Sequence, residues 1–451
     1  MLNAKFALPA RWLALVLLGP AMVLGTPTTA RDVRGAQAGP AAVSSLEPSA
    51  TSRRPPEQPA TPIWQALPHG GLNGIVNALA AAGNDLYVGG YFTATADGVV
   101  QHLNGIALLS SADGQWHALP NDGLNGGVTA LAVIGSDVYA GGNFTATTTS
   151  PLANPLRYVA RLTGGPTGAW HPLADNGLNW DVRTLAAHNG DLYVGGFFNQ
   201  SAGGATQDLN AIARYHNGAW VSLPNKGLFN FFVLHCCFVD AIAFNGNDLV
   251  AGGIFTATDD FAVQNMGGLA MLSGTTWSAL PNHGLGFDQN RPVNSLTYFG
   301  GDLYAAGTFT RTTDHAVNNL NNIATLTGSG WSPLPDNGFR NQGFSAVVAL
   351  APRGTDLYVG GTFTQTADGL GLPVNGIARL NAGAWHSLPD GGIRSGPGIG
   401  VGSITVVSDT LYAGGGFTET AGGAVQSLGN IAALGVPPLP SFPLYLPLLT
   451  R

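Results

Sequence analysis

One slot recurs seven times with side chains that can donate or accept ligands. After Leu-Pro, or Leu-Ala in the third copy, stand His69, Asn121, Asp175, Asn225, Asn282, Asp336 and Asp390. Carboxylate, amide and imidazole groups set around one face would suit a ring of metal or sugar ligands, with His283 a weak addition beside His69. The same residues with a glycine close behind are also what a tight turn demands, through side-chain to backbone bonds and a left-handed glycine. The turn is the more economical reading. Calcium wants several oxygens converging within one loop, and the sole acidic pair among these loops, Asp259-Asp260, reads as solvated surface. Neither a metal nor a cofactor is expected. A Gly-x-Ser-x-Gly elbow and a zinc-binding His-Glu-x-x-His are both missing from the sequence. A carboxylate pair for glycoside hydrolysis would have to be assembled from different copies, and no spacing singles one out.

The fourth copy departs from the others. Where they read Gly-Leu-Asn-Gly, it reads Leu228-Phe-Asn-Phe-Phe-Val-Leu-His-Cys-Cys-Phe238. Phe229, Phe231, Phe232 and His235 are therefore candidate binding residues if this run is exposed, and a plug over the central channel if it folds inward. Adjacent cysteines rarely meet disulfide geometry, so Cys236 and Cys237 read as two buried thiols, with a strained vicinal disulfide as the alternative.

The elements that must position these groups announce themselves by repetition. A phrase Asp-Leu-Tyr-Val-Gly-Gly-x-Phe-Thr, or a close variant, recurs down the chain, each time with a tryptophan before it: Trp64, Trp116, Trp170, Trp220, Trp277, Trp331 and Trp385, 50 to 57 residues apart. One supersecondary unit per repeat follows. The sixth copy shows four short apolar segments, Val347 to Leu350, Asp356 to Phe363, Ile377 to Leu380 and Trp385 to Leu388, separated by turn residues. This predicts an all-β chain, a single seven-bladed β-propeller of four-stranded antiparallel blades with alanine-rich innermost strands. The chain enters on an isolated fourth strand, Ile63 to Leu67, and leaves on an isolated third, Ile431 to Leu434, so the N-terminal strand should complete the last blade and close the ring. The glycine pairs read as points where a neighbouring sheet approaches the backbone, since no phosphate-loop Lys-Ser or Lys-Thr follows them. Connections from second to third strands, and from a fourth strand to the next first, are long and emerge on the same face. Long loops on a rigid scaffold make that face the candidate binding surface.

Gly-Gly after an apolar strand, with tryptophan opening the fourth strand, resembles the kelch repeat and the propeller of galactose-oxidase-like proteins. It departs from kelch in placing Tyr87, Tyr139, Tyr193, Tyr304, Tyr358 and Tyr412 before the pair. The longer phrase, continuing into Asn-x-Ile-Ala-Arg-Leu and Gly-x-Trp, is similar to repeats in secreted bacterial propellers and fungal cell-polarity markers. The resemblance covers residues 63 to 435 and implies a fold more than a function. Galactose-oxidase-like chemistry would imply copper held by tyrosines and histidines beside a Cys–Tyr crosslink, and no such cluster stands out among 10 histidines. A sialidase-like box is only approximated, once, by Ser111-Ala-Asp-Gly-Gln-Trp116, which reads as a turn.

Composition sets the address. Only 10% of the 451 residues are charged and the net charge is −7, which argues against nucleic acid as a partner. Lys5 and Arg11 followed by the apolar run Trp12 to Leu24 read as a signal peptide over residues 1–30, too short to span a bilayer. Residues 31–61 read as a disordered Pro/Ala/Ser/Thr-rich leader, 62–435 as the propeller, and 436–451 as a Pro-rich tail. The expected protein is a secreted or surface-exposed monomer, non-enzymatic and without a membrane span in its mature chain, binding a protein or glycan through its long-loop face. A polysaccharide-acting enzyme with its site at the channel mouth and an envelope scaffold are the alternatives.

Overall fold

A computed structural model describes residues 62–149, 155–230, 237–285, 292–341, 343–368, 371–394 and 400–435. They form seven four-stranded antiparallel sheets with no α-helix, the blades of a β-propeller. Blade 1 runs Ile75–Ala82, Asp85–Tyr91, Ile106–Leu109 and Trp116–Ala118, and the same order repeats around the ring. Closure follows the count of segments: Ile63–Ala66 pairs with Ile431–Gly435, Trp64 opposite Leu434, and completes blade 7. First strands of neighbouring blades adjoin and wall a central channel. Proposed boundaries at 1–30, 31–61 and 436–451 lie outside the described residues.

Two contacts, repeated from blade to blade, explain the recurring phrase. The first glycine of each pair touches a valine at the start of the next blade's inner strand: a Cβ on Gly89 would lie 2.6 Å from Cγ1 of Val128, and Gly360 meets Val401 in the same way. Blade 5 carries Ala306 there, in the same buried cluster as Val347. The tryptophans provide the second contact. In six of the seven, the indole N–H donates to the backbone carbonyl that opens the preceding turn, as Trp116 to Pro68 at 3.0 Å and Trp385 to Pro335 at 2.9 Å. Trp170 is the exception, its buried Nε1 having no partner. Each tryptophan buries its ring and ties one blade to its neighbour.

A third regularity was not legible beforehand. Every first strand carries a β-bulge one residue after its valine, seen as a register shift between Val76 and Ala78 in blade 1 and between Val182 and Thr184 in blade 3. The bulged residue leaves the ladder, so its side chain is free to differ between blades. The seven are Asn77, Thr129, Arg183, Asp240, Asn294, Val348 and Gly402, and all line the channel.

Candidate functional site

The long connections do share a face, because they pair with one another: Leu72 bridges Thr95, Leu124 bridges Thr147 and Leu228–Phe229 pairs with Ala257–Thr258. On that face the recurring slot adopts a left-handed backbone, φ being 58° at His69, 54° at Asp175, 56° at Asp336 and 54° at Asp390. The two residues after it are left-handed as well, so the turn uses three such residues where the sequence suggested one glycine. Asn and Asp tolerate this region best among side-chain-bearing residues, which accounts for the slot's composition.

Most of the slot's polar atoms are engaged by the neighbouring second-to-third loop. His69 Nδ1 bonds Asp97 Oδ2 at 2.9 Å, while Asp97 Oδ1 accepts from Thr95 Oγ1 at 2.7 Å and from the Val99 amide at 3.0 Å. Asn225 with Asp260, and Asn282 with Asp314, repeat the clasp. Blades 3 and 7 reverse it: the slot itself supplies the carboxylate, Asp175 accepting from Ser201 and the Ala205 amide, Asp390 from Thr420 and the Ala424 amide. There the loop residue is Gly203 or Gly422, and any Cβ would collide with the incoming carboxylate. Blades 1, 3, 4, 5 and 7 thus each use one carboxylate, while blade 2 sets Asn121 against Thr149 with none. Asp260, expected to be merely solvated, is thus a clasp centre. Backbone and hydroxyl donors hold Asp97 and Asp314 down at about 2. Asp336 is exposed and makes no such bond with the described residues; blade 6 places Asp368 in its loop with Thr366 donating to it. Among the described residues no group of three or more His, Cys, Asp or Glu could hold a metal.

The fourth-copy insertion is only partly described. Phe229 is half-buried, its ring edge-on to Phe261 at 5.2 Å, and Cys237 donates its thiol to the Leu228 carbonyl at 3.3 Å. Phe231, Phe232, His235 and Cys236 lie outside the described residues.

The densest chemistry lies at the channel mouth, on residues that sequence reasoning passed over. Arg183, the bulge residue of blade 3, donates from Nε to Asp240, the bulge residue of blade 4, and its guanidinium sits 5.5 Å from the Phe197 ring and 4.9 Å from the Phe238 ring. Asn294 approaches the other Asp240 oxygen at 3.5 Å. Burial drives the Asp240 carboxyl upward against the pull of Arg183. Beside this pair lies Asp181, also raised by partial burial, with Tyr91 close enough to feel both Asp181 and Arg183. Tyr91 Oη accepts from Asn143 at 3.0 Å and walls a groove of about 660 Å³ between blades 1 and 2. Trp180 precedes Asp181 and is 58% exposed. A signal existed in the third copy, which reads Asn179-Trp180-Asp181-Val182-Arg183 where the second reads Asn125-Gly126-Gly127-Val128-Thr129. A glycosidase pair needs two carboxyls open to one bond. Asp240 is tied to Arg183, which leaves Asp181 alone.

A second charged cluster sits on the short-turn face, where Asp191 accepts from Arg214 Nε at 2.7 Å and pairs with His216 Nδ1 at 2.6 Å. Burial raises Asp191, but the His216 and Arg214 bonds outweigh it and hold the carboxyl low. Its groups satisfy one another.

Comparison with known proteins adds little beyond the fold. No family model matches the chain. It is similar to "Polarized growth protein L1" of Phoma sp., 27% identical over 399 residues that cover 78% of this chain, and spans 29% of that protein's length. Among solved structures it is similar to YCF48 bound to D1 peptide, at 14% identity and a TM-score of 0.47 over 84% of this chain and 98% of that one. It is also similar to the WD40 propeller domain of Doa1, at 12% identity and a TM-score of 0.41 over 83% and 96%.

Proposed function

We propose that this is a secreted or surface-exposed, kelch-related propeller that binds a protein ligand through its long-loop face, without catalysis. One observation carries the reading. Of the large apolar side chains exposed among the described residues, Tyr91, Val99, Trp180, Phe261 and Phe344 all lie on that face, and the remaining two, Ile63 and Val221, sit on outer strands. Aromatic residues exposed together on one side of a rigid scaffold suit a protein interface. The channel mouth adds hydrogen-bonding and charged groups at its centre. A glycan ligand is the variant to be separated from it, since exposed aromatic rings also stack on sugars.

The test is capture by the full chain from its native extracytoplasmic fraction, comparing wild type with Trp180→Gly/Phe261→Ser/Phe344→Ser and with Ile63→Ser/Val221→Ser. A partner retained by the outer-strand variant and lost by the face variant, at unchanged melting temperature, is the expected result. Equal capture by both variants would refute a long-loop interface, and binding on a glycan array that the face variant abolishes would replace the protein ligand by a sugar.

A further inference from the structure

The face described above specifies one feature of its ligand, and the inference rests on that interface. Asp181 stands at the channel mouth with its carboxylate half-buried, and no hydrogen bond reaches its side-chain oxygens from the described residues, in contrast to the clasp carboxylates, each of which accepts two or three. Its nearest opposite charge, Arg183, spends Nε on Asp240. Two carboxylates therefore share one guanidinium, and among the described residues no second basic side chain is paired with Asp181.

Around that charge the exposed surface is aromatic. Trp180 is the adjacent residue, and Tyr91, 51% exposed, interacts electrostatically with Asp181 while its ring lies against Gly127. Tyr91 stands where copies 2, 5, 6 and 7 have Asn143, Thr308, Thr362 and Gly416, and Trp180 where copies 1 and 2 have Gly74 and Gly126. A cation over an aromatic face is attracted by the ring quadrupole, more strongly when partly desolvated. Charge complementarity points the same way, since residues 62–435 contain 22 acidic and only 11 basic side chains.

We propose that the channel mouth receives a basic side chain of the bound protein, lysine or arginine, with its cation on Asp181 and its stem across Tyr91 and Trp180. The Asp181 carboxyl, which partial burial holds above its ordinary value, would gain by this contact a direct counter-charge. The groove beside Tyr91, about 660 Å³ and lined by Asn125, Asn143 and Thr148, can take the adjoining stretch of peptide through amide and hydroxyl bonds.

Two fluorescein-labelled octapeptides, alternating Gly-Arg and its uncharged Gly-citrulline counterpart, test this by fluorescence anisotropy on the full chain. Wild type should bind the arginine peptide about tenfold more tightly than the citrulline peptide, a difference of roughly 1.4 kcal/mol. Asp181→Asn should remove that preference and Trp180→Gly should weaken binding several-fold. Asp336→Asn, the same change of charge at an exposed site of the same face, should leave it within twofold. Equal loss in Asp336→Asn and Asp181→Asn would mean nonspecific attraction and overturn the proposal, as would equal affinity for the two peptides or no binding of either up to millimolar concentration. If it fails while partner capture still depends on the face residues, the interface stands without its basic anchor. If capture is also independent of the face, the interface itself is wrong.

Discussion

Trp64 donates its indole N–H to the Pro389 carbonyl at 3.1 Å across 325 residues of sequence, and so latches the first strand of the chain to the turn that follows blade 6. The same residue fills the core of blade 7, 2% exposed, beside Leu411 and Leu434. Removing residues 62–68 strips blade 7 of its outer strand and leaves an unpaired edge on Ile431–Gly435. The deletion should abolish soluble folding. Trp64→Ala, which keeps the strand, should cost about 3–5 kcal/mol in denaturant melts. A deletion variant with an unchanged melting curve would refute closure by this strand.

The tryptophans differ in a way their sequence context hides. Trp220 donates to the Ala174 carbonyl at 2.9 Å, whereas Trp170 is equally buried with its N–H unpaired. Replacing tryptophan by phenylalanine removes the N–H and keeps most of the apolar contact. Trp220→Phe should lose roughly 0.5–1.5 kcal/mol more than Trp170→Phe, because only the former breaks a hydrogen bond, the Ala174 carbonyl being left with the Gly177 amide alone. Chemical denaturation of the two variants side by side decides it.

Gly89 and Val128 give the packing rule its test. A methyl group on Gly89 would overlap Val128 Cγ1, and this kind of overpacking costs about 1–3 kcal/mol. Gly89→Ala should be destabilised on that scale, and Val128→Ala in the same chain should recover part of the loss although alone it also destabilises. Simple additivity of the two would show that the glycine is there for another reason.

Why the fold was readable and the site was not follows from these contacts. Each blade meets the same packing problem, so Gly89 and Val128, Trp116 and Pro68 recur in register, and repetition makes them visible. The bulge residues meet no shared problem. Asn77, Thr129, Arg183 and Asp240 occupy one level of the channel with four chemistries, and nothing in their neighbours marks the position as special. The clasp was hidden differently: its carboxylate stands in the slot at Asp175 and Asp390 but in the opposite loop at Asp97, Asp260 and Asp314, so neither column alone shows it. The fourth-copy insertion spans eleven consecutive residues, whereas Trp180-Asp181 replaces only two in an otherwise regular copy.

Acid should loosen the clasps. Asp97 and Asp314 are held at about 2, Asp97 chiefly by the Val99 amide and Asp314 by the Ala316 amide, against 3.8 for an ordinary aspartate. A carboxyl depressed on folding contributes stability that is present above its unfolded value and lost as pH falls through the folded one. Melting temperature should therefore drop between about pH 4 and pH 2. In Asp97→Asn/Asp314→Asn that drop should be smaller, with a lower plateau at neutral pH. An identical acid profile in the double variant would show that these two carboxylates are not what titrates.

The reversal of the clasp can be engineered. Blade 7 pairs Asp390 with Gly422, where blade 5 pairs Asn282 with Asp314. Gly422→Asp alone places a second carboxylate against Asp390, with its Cβ in contact with the Asp390 oxygen, so it should melt well below wild type. Asp390→Asn alone gives the Thr420 hydroxyl and the Ala424 amide an uncharged, weaker acceptor and should melt lower as well. Together they rebuild the blade 5 arrangement: the new aspartate can accept from Thr420 and the Ala424 amide as Asp314 does from Thr312 and the Ala316 amide, and the new asparagine can donate to it as Asn282 does. Gly422 has no left-handed φ, and Gly423 behind it has the positive φ of 78° that matches His315 at 64°, so the backbone already fits. The double variant should therefore melt close to wild type and above either single change. A double variant no better than the sum of its parts would mean that the two clasps are separate local solutions, with no exchangeable carboxylate between them.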